Sequence, residues 1–237
     1  MSVFISLGIV ILAMLIMACL QLTPSVFALF YHYALGKFSK RKASFLSLYF
    51  ILGTEIIAAC LYLSIFYLTC IFFFDNLHPE TSILFWSLAG ILAALGIFSF
   101  FFYYRRGPGT RLFIPRKYAK ALDVSAKSAK TRSDAFMLGA LTGTCELAFT
   151  LPLYIVTCVE IMKMGAEGFS SNLLTIIYIL IPVIPLFFIR WKFQTGRNLA
   201  DIERSHVKDK FFNRLIITSC YILIAILIIC FRTIYTS

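Results

Sequence analysis

Long apolar stretches without charged residues set the strongest limit on what this chain can fold into. Residues 3–35 contain no Lys, Arg, Asp or Glu, and comparable runs recur further along the chain. Of the 237 residues, 60% are hydrophobic and 14% are charged, which is outside the range of ordinary soluble domains. The runs are continuously apolar rather than alternating, which excludes an outer-membrane barrel. The sequence therefore predicts an all-α polytopic membrane protein.

Six of these stretches are expected to cross a membrane. A helical span needs about 20 mostly apolar residues, and charged or turn-forming residues separate the stretches from one another. The predicted spans are residues 3–35, 44–74, 82–104, 136–157, 172–189 and 215–231.

The basic residues predict how the spans are oriented. Of the 22 Lys and Arg residues, four, nine and seven lie in the loops at residues 36–43, 105–133 and 190–214. These loops fall on one side of a six-span chain, so the positive-inside rule makes them cytoplasmic and places both termini outside. The expected location is a prokaryotic plasma membrane. Topology then accounts for the net charge of +11, and no nucleic-acid binding is expected. Docking of a cytoplasmic or membrane protein, or of anionic lipid, is the alternative role for the basic loops.

Two stretches of the basic loops have the pattern of amphipathic helices. Tyr118 and Leu122 recur at helical spacing within residues 116–124, and apolar residues recur in the same way within residues 199–211. Such helices are predicted to lie on the inner membrane surface.

The chain also divides into two halves of opposite orientation. Within a single membrane domain, residues 1–237, three spans lie in residues 1–104 and three in 134–237, joined by the basic loop 105–133. The first helix of each half is expected to be broken at a proline, Pro24 or Pro152. Broken helices at matching places in two inverted repeats are typical of secondary transporters. A small solute or ion would then pass between the two breaks.

The fourth span contains two glycines that favour close helix packing. Gly139 and Gly143 lie four residues apart and therefore on one face of a helix. Small residues at this spacing let another helix backbone approach closely.

Two glutamates are expected near the middle of the membrane. Glu55 and Glu146 lie at similar distances along spans that both run from inside to outside, and no Lys or Arg lies deep in any span. A carboxylate at this depth needs a proton, a bound cation or a hydrogen bond, for which neighbouring threonines are the expected donors. The pattern favours a proton- or cation-coupled site. The alternative is that both glutamates are protonated and hydrogen-bond between helices. Glu160, near an outer span end, is expected at the interface.

His32 lies near the inner end of the first span and has two readings. It could relay protons, or it could anchor the helix at the membrane surface beside two tyrosines. The chain has only three histidines, none at a span centre, so no metal site and no cofactor are expected.

Residues 22–30, Leu-Thr-Pro-Ser-Val-Phe-Ala-Leu-Phe, precede Leu35-Gly36 and a basic loop. This run resembles the first helix of the DsbD and CcdA transmembrane thiol-reductant transporters, a cytochrome c biogenesis and thiol–disulfide interchange family of the LysE-type superfamily. Residues 110–112, leading to 138–143, are similar to the approach to that family's second reactive helix. The resemblance implies six spans, both termini outside and a proline in helices 1 and 4.

The chain departs from this family at its reactive positions. The family has a cysteine beside the proline of each broken helix, whereas this chain has Ser25 in the first and Phe149 near that position in the second. Ala28 also replaces a second proline. A serine cannot form the mixed disulfide that thiol exchange requires. Cys19 and Cys145 precede the two prolines and could form a relocated redox pair, although buried cysteines also serve as small apolar side chains.

Three functions remain open at this point. The first is a transporter of a small solute or ion that uses Glu146 and Glu55. The second is transmembrane thiol–disulfide reductant transfer by Cys19 and Cys145, the one reading that would make the protein an oxidoreductase. The third is a non-transporting membrane subunit or assembly factor. Motifs of soluble hydrolases and nucleotide-binding enzymes do not occur in the sequence.

Overall fold

Helices account for nearly all of the chain that the computed structural model describes, which is residues 2–20, 22–75, 81–98, 116–166, 171–195 and 215–230. No β-strand occurs in these ranges. In chain order the helices are α1 (Ser2–Cys19), α2 (Leu22–Lys37), α3 (Lys40–Asp75), α4 (Thr81–Phe98), α5 (Arg116–Ser128), α6 (Arg132–Cys145), α7 (Leu147–Ala166), α8 (Ser171–Leu180), α9 (Val183–Gln194) and α10 (Leu215–Cys230).

Three helical segments are long and apolar enough to cross a membrane. They are Val3–Lys37, which combines α1 and α2, Lys40–Ile71 within α3, and Ser171–Gln194, which combines α8 and α9. A fourth is possible if α6 and α7 form one span, although they meet at an angle of 76°. The predicted third and sixth spans contain shorter apolar helices, Trp86–Phe98 and Leu215–Cys230. The described residues therefore contain three or four candidate spans, whereas six spans were predicted for the chain.

Buried apolar side chains form two main clusters that divide the bundle along its length. The first, the basic-end cluster, takes side chains from α2, the start of α3, α5, α6 and α9. The second, the far-end cluster, takes side chains from α1, α4, α7, α8 and α10, together with Tyr62 of α3. Of the described helices only α3 contributes to both, and its 36 residues extend about 54 Å at 1.5 Å per residue.

Residues from all three basic loops meet at one end of the bundle. Lys37 Nζ donates to the carbonyl oxygen of Lys127, which joins the ends of α2 and α5. Arg190 Nη2 donates to Ser44 Oγ at 2.7 Å, which joins α9 to the start of α3. Residues 105–115 and 196–214 of these loops lie outside the described residues, and so do the chain termini.

The predicted amphipathic helix of the second basic loop is confirmed as α5, Arg116–Ser128. Its apolar side chains Leu122 and Ala126 are buried in the basic-end cluster. This helix therefore packs against α2 and α6 of the bundle. The second predicted amphipathic stretch, residues 199–211, lies outside the described residues.

Three segments are interrupted where the two apolar clusters meet. The interruptions fall between α1 and α2, at Glu146 between α6 and α7, and at Ile181–Pro182 between α8 and α9. In each segment one helix packs in the far-end cluster and the other in the basic-end cluster. We call this level the junction layer.

The first and fourth predicted spans are interrupted ahead of their prolines, not at them. Pro24 lies in the first turn of α2, where a residue without an N–H group is tolerated. Pro152 lies inside α7, and the chain turns at Glu146 instead. The two interruptions also differ, because Val3–Lys37 forms one candidate span whereas α6 and α7 bend by 76°. The inverted repeat stays a prediction.

The glycine face of α6 lies against α3. A Cβ atom built on Gly139 would collide with the carbonyl oxygen of Phe50, and one built on Gly143 would lie 2.7 Å from Ile57 Cγ2. The later glycine of α6 thus meets the later residue of α3, so the two helices run parallel. The third glycine of this contact, Gly53 of α3, meets the backbone of α6 in the same way.

This close approach allows a hydrogen bond between the two helices. Thr54 Oγ1 lies 3.2 Å from the carbonyl oxygen of Gly139 and 3.1 Å from that of Phe50 in its own helix. Small residues and hydroxyl groups of this kind are the usual means of helix association in lipid, where apolar contact alone gives no preference for protein over acyl chains.

We expect Gly139→Ala to destabilise the protein by about 1–3 kcal/mol, because α3 and α6 would have to separate to admit the methyl group. Thermal unfolding of the detergent-solubilised protein, followed by size-exclusion chromatography, measures this effect. Gly90→Ala is the matched control, since an added Cβ at Gly90 meets no atom within 4 Å. An unchanged transition in Gly139→Ala would contradict the close packing.

Candidate functional site

Glu146 forms the turn that joins α6 to α7. Its backbone is close to helical, with φ −77° and ψ −12°, and its N–H group donates to the carbonyl oxygens of Thr142 and Gly143. Its own carbonyl oxygen accepts from the N–H groups of Phe149 at 2.9 Å and Thr150 at 3.1 Å. The backbone groups around the bend are thus paired locally, as a membrane interior requires.

The side chain of Glu146 reaches the start of another helix. Its Oε1 atom accepts a hydrogen bond from the backbone N–H of Thr23 at 2.8 Å. Thr23 lies in the first turn of α2, where N–H groups have no partner within the helix and the helix dipole presents its positive end. Glu146 therefore caps α2 from a distant part of the chain. This contact joins the first interrupted segment to the fourth.

Glu55 has no such partner. Both of its carboxylate oxygens are buried, and neither has a hydrogen-bond partner among the described residues. It lies on α3 between Ile51 of the basic-end cluster and Tyr62 of the far-end cluster, hence at the junction layer. Burial of an unpaired carboxylate costs several kcal/mol in order of magnitude. Such a group needs a proton or a cation.

Three buried tyrosines meet in the far-end cluster. The first, Tyr154, lies on α7. Its ring lies 5.4 Å from that of Tyr62 and 6.1 Å from that of Tyr178, so the three tyrosines hold α3, α7 and α8 together. The three tyrosines lie far apart in the sequence, and no sequence pattern indicates that they meet.

The threonines expected to serve the glutamates bond to backbone carbonyls instead. Thr142 Oγ1 donates to the carbonyl oxygen of Leu138 at 2.6 Å, and Thr144 Oγ1 to that of Ala140 at 2.9 Å. Hydroxyl groups of Ser and Thr within helices often bond to the preceding turn in this way. The donor that reaches Glu146 is a backbone N–H group, which no side-chain pattern indicates.

His32 does not join this site. It is exposed on α2, with its ring 5.7 Å from that of Tyr33. Glu146 binds the opposite end of the same helix, about 13 Å away at 1.5 Å per residue. The structure therefore does not bring His32 to the two carboxylates with which it was grouped.

Cys19 and Cys145 pack in different parts of the bundle. None of the seven cysteines, all of which are described, forms a disulfide. The Cys19 side chain packs against the far-end cluster, and Cys145 packs against the basic-end cluster. Cys220 also belongs to the far-end cluster. The structure does not pair the two cysteines that were considered as a relocated redox couple.

Glu160 is buried within the bundle, and its position at the membrane interface stays a prediction. Its side chain accepts from Ser6 Oγ at 2.6 Å and from Lys163 Nζ at 2.9 Å, which ties α7 to α1. Glu160 is only 4% exposed. This carboxylate is fully paired, in contrast to Glu55.

No group of three or more His, Cys, Asp or Glu side chains within the described ranges is arranged to hold a metal ion. Comparison of the chain with protein-family models, with curated proteins and with solved structures finds no match. The site itself therefore carries the functional argument.

We expect Glu146→Leu to destabilise the protein by about 1–3 kcal/mol, because the buried N–H of Thr23 would lose its acceptor. Glu146→Gln keeps a carbonyl oxygen at the same place and should unfold close to the wild-type temperature. Thermal unfolding of the two variants in detergent compares them directly. Equal loss of stability in both would show that the charge, rather than the acceptor, holds α2.

We expect no disulfide between Cys19 and Cys145. The denatured protein, labelled with a maleimide mass tag, should take up the same number of tags with and without prior reduction, up to the seven cysteines present. Extra tags after reduction, lost again in Cys19→Ser and Cys145→Ser, would establish the relocated pair.

Proposed function

We propose that this protein is a membrane transporter that moves a small solute or ion through the junction layer, with Glu146 and Glu55 as its titrating groups. The observation that carries this proposal is the capping of α2 by Glu146. The Glu146 carboxylate bridges two interrupted segments and binds the start of α2. An anionic or protonatable cargo would also contact this helix start.

Glu55 supplies the second part of the argument. A buried carboxylate without a partner is costly, and intramembrane acidic residues of this kind are typical of ion and proton pathways. Glu55 and Glu146 both lie at the level where the two apolar clusters meet.

The enclosed state of Glu55 supports a cycle in which the layer opens. With both oxygens shielded, the carboxylate is expected to be protonated or to hold a cation. Exposure to water on one side would let it release that proton or cation. The interruptions in three segments give the bundle places at which the two ends can move relative to each other.

We also propose a distant relationship to the DsbD and CcdA group, with six spans, cytoplasmic basic loops and no family redox cysteines. Support comes from the meeting of the first and fourth predicted spans through Thr23 and Glu146. Ser25 and Phe149 at the reactive positions favour transport of a solute over transfer of reducing equivalents.

Currents on a solid-supported membrane test the transport proposal. Proteoliposomes of the full chain are exposed to concentration jumps of amino acids, low-molecular-weight thiols and mono- and divalent cations. We expect at least one class to produce a pH-dependent current in the wild type. Glu146→Gln and Glu55→Gln should each reduce this current at least tenfold while the protein still elutes as a folded species.

Glu160→Gln is the matched control, because this carboxylate is also buried in α7 but is held by Ser6 and Lys163. It should retain most of the current. Wild-type currents in both Glu146→Gln and Glu55→Gln would overturn the proposal, and so would the absence of current for every class. In the latter case, copurification of another protein would favour a subunit or assembly factor.

A further inference from the structure

A cavity of about 600 Å³ opens at the basic end of the bundle, between the start of α3 and the last turns of α9. It lies away from the junction layer and its two glutamates. Its lining combines cationic and apolar side chains, which include Arg41, Lys42, Phe45, Leu48 and Arg190.

The positive charge of this cavity is not compensated within the described part of the chain. None of Arg41, Lys42 and Arg190 forms an ion pair with a described carboxylate. Arg41 and Lys42 also stand in the first turn of α3, where the helix dipole is positive and added cations are unfavourable. Ser39 Oγ accepts from the Lys42 N–H at 3.4 Å at this helix start. An anion would relieve this accumulation of charge.

Arg190 provides an independent indication of a ligand. Its Nη2 atom donates to Ser44 Oγ at 2.7 Å, so the guanidinium group is held in place. Its Nε–H group is buried and has no acceptor among the described residues. A buried donor without an acceptor costs about 1–3 kcal/mol. Phosphate oxygens match the geometry of the guanidinium group, and Arg190 lines the cavity.

The apolar wall of the cavity indicates what carries the phosphate. Phe45 is 43% exposed, and Leu48 lies one turn further along α3, toward the apolar part of the bundle. The guanidinium group of Arg132 lies 4.9 Å above the ring of Phe45, which adds a further cation beside the cavity. A free phosphate ion would leave these apolar side chains exposed, whereas the glycerol and first acyl carbons of a lipid would cover them.

We propose that this cavity binds the headgroup of an anionic phospholipid, with its phosphate between Arg190 and the first turn of α3 and its acyl chains along Phe45 and Leu48. Basic pockets between helices at the cytoplasmic membrane face are suited to such headgroups. The site would join α3 to α9 at the same end of the bundle where the basic loops meet. This inference does not depend on the proposed transport activity.

Native mass spectrometry of the full chain in a mild detergent tests the proposal. The protein is titrated with phosphatidylglycerol or cardiolipin, and with phosphatidylcholine as the zwitterionic comparison. We expect wild-type protein to retain the anionic lipids selectively. Arg190→Gln and Lys42→Gln should each weaken their binding about fivefold or more. Lys42→Gln guards against a folding defect, because Lys42 is exposed, whereas Arg190 also holds Ser44.

Lys192→Gln is the matched control. It removes one positive charge from α9, the helix that carries Arg190, but Lys192 does not line the cavity. Its lipid affinity should equal that of the wild type. An affinity for anionic lipid equal to that of the wild type in Arg190→Gln and Lys42→Gln, as in Lys192→Gln, would contradict the proposed site. So would retention of phosphatidylcholine to the same extent, or displacement of the lipid by millimolar inorganic phosphate, which would make free phosphate the occupant.

Discussion

The hydrogen bond from the Thr23 N–H to Glu146 is the contact on which the arrangement of the bundle depends. A helix that begins inside an apolar layer leaves N–H groups without partners, and no water is present there to receive them. α2 begins in this way, and an acceptor has to come from elsewhere in the chain. Glu146 is available because α6 ends at the same level. The two interruptions therefore support each other.

The two glutamates differ in their structural roles. Glu146 satisfies a helix start, so a substitution that removes its acceptor oxygen has a structural cost in addition to any loss of activity. Glu55 satisfies nothing among the described residues, and its burial lowers stability. Buried polar groups that lower stability and make no structural contact are commonly found at functional sites. Glu55 is thus the more informative residue about function, although Glu146 has the clearer geometry.

The sequence predicted the class of the protein and several local features, for reasons that are visible in particular residues. Charge-free runs imply helices in lipid, and the amphipathic spacing around Leu122 implied α5. The position of the breaks could not be predicted from the prolines. Pro24 is tolerated in a first turn and Pro152 inside α7, whereas the turn at Glu146 depends on an acceptor and a donor 123 positions apart. Hydropathy also does not indicate which side chains pack against each other in three dimensions. The separation of Cys19 from Cys145 and the contact between Tyr154 and Tyr62 therefore became visible only in the structure.

Because three interruptions fall at one level, α3 is the one described helix that passes through both apolar clusters without a break. α3 therefore connects the two ends of the bundle. The glycine contact fixes α6 to the first half of α3, whereas α7 is bent away from α6 by 76°. A rotation of one end against the other would therefore twist α3 over the few residues between Ile57, the last contact of α6, and Tyr62. Glu55 lies within one turn of that short section, so such a rotation would change its surroundings.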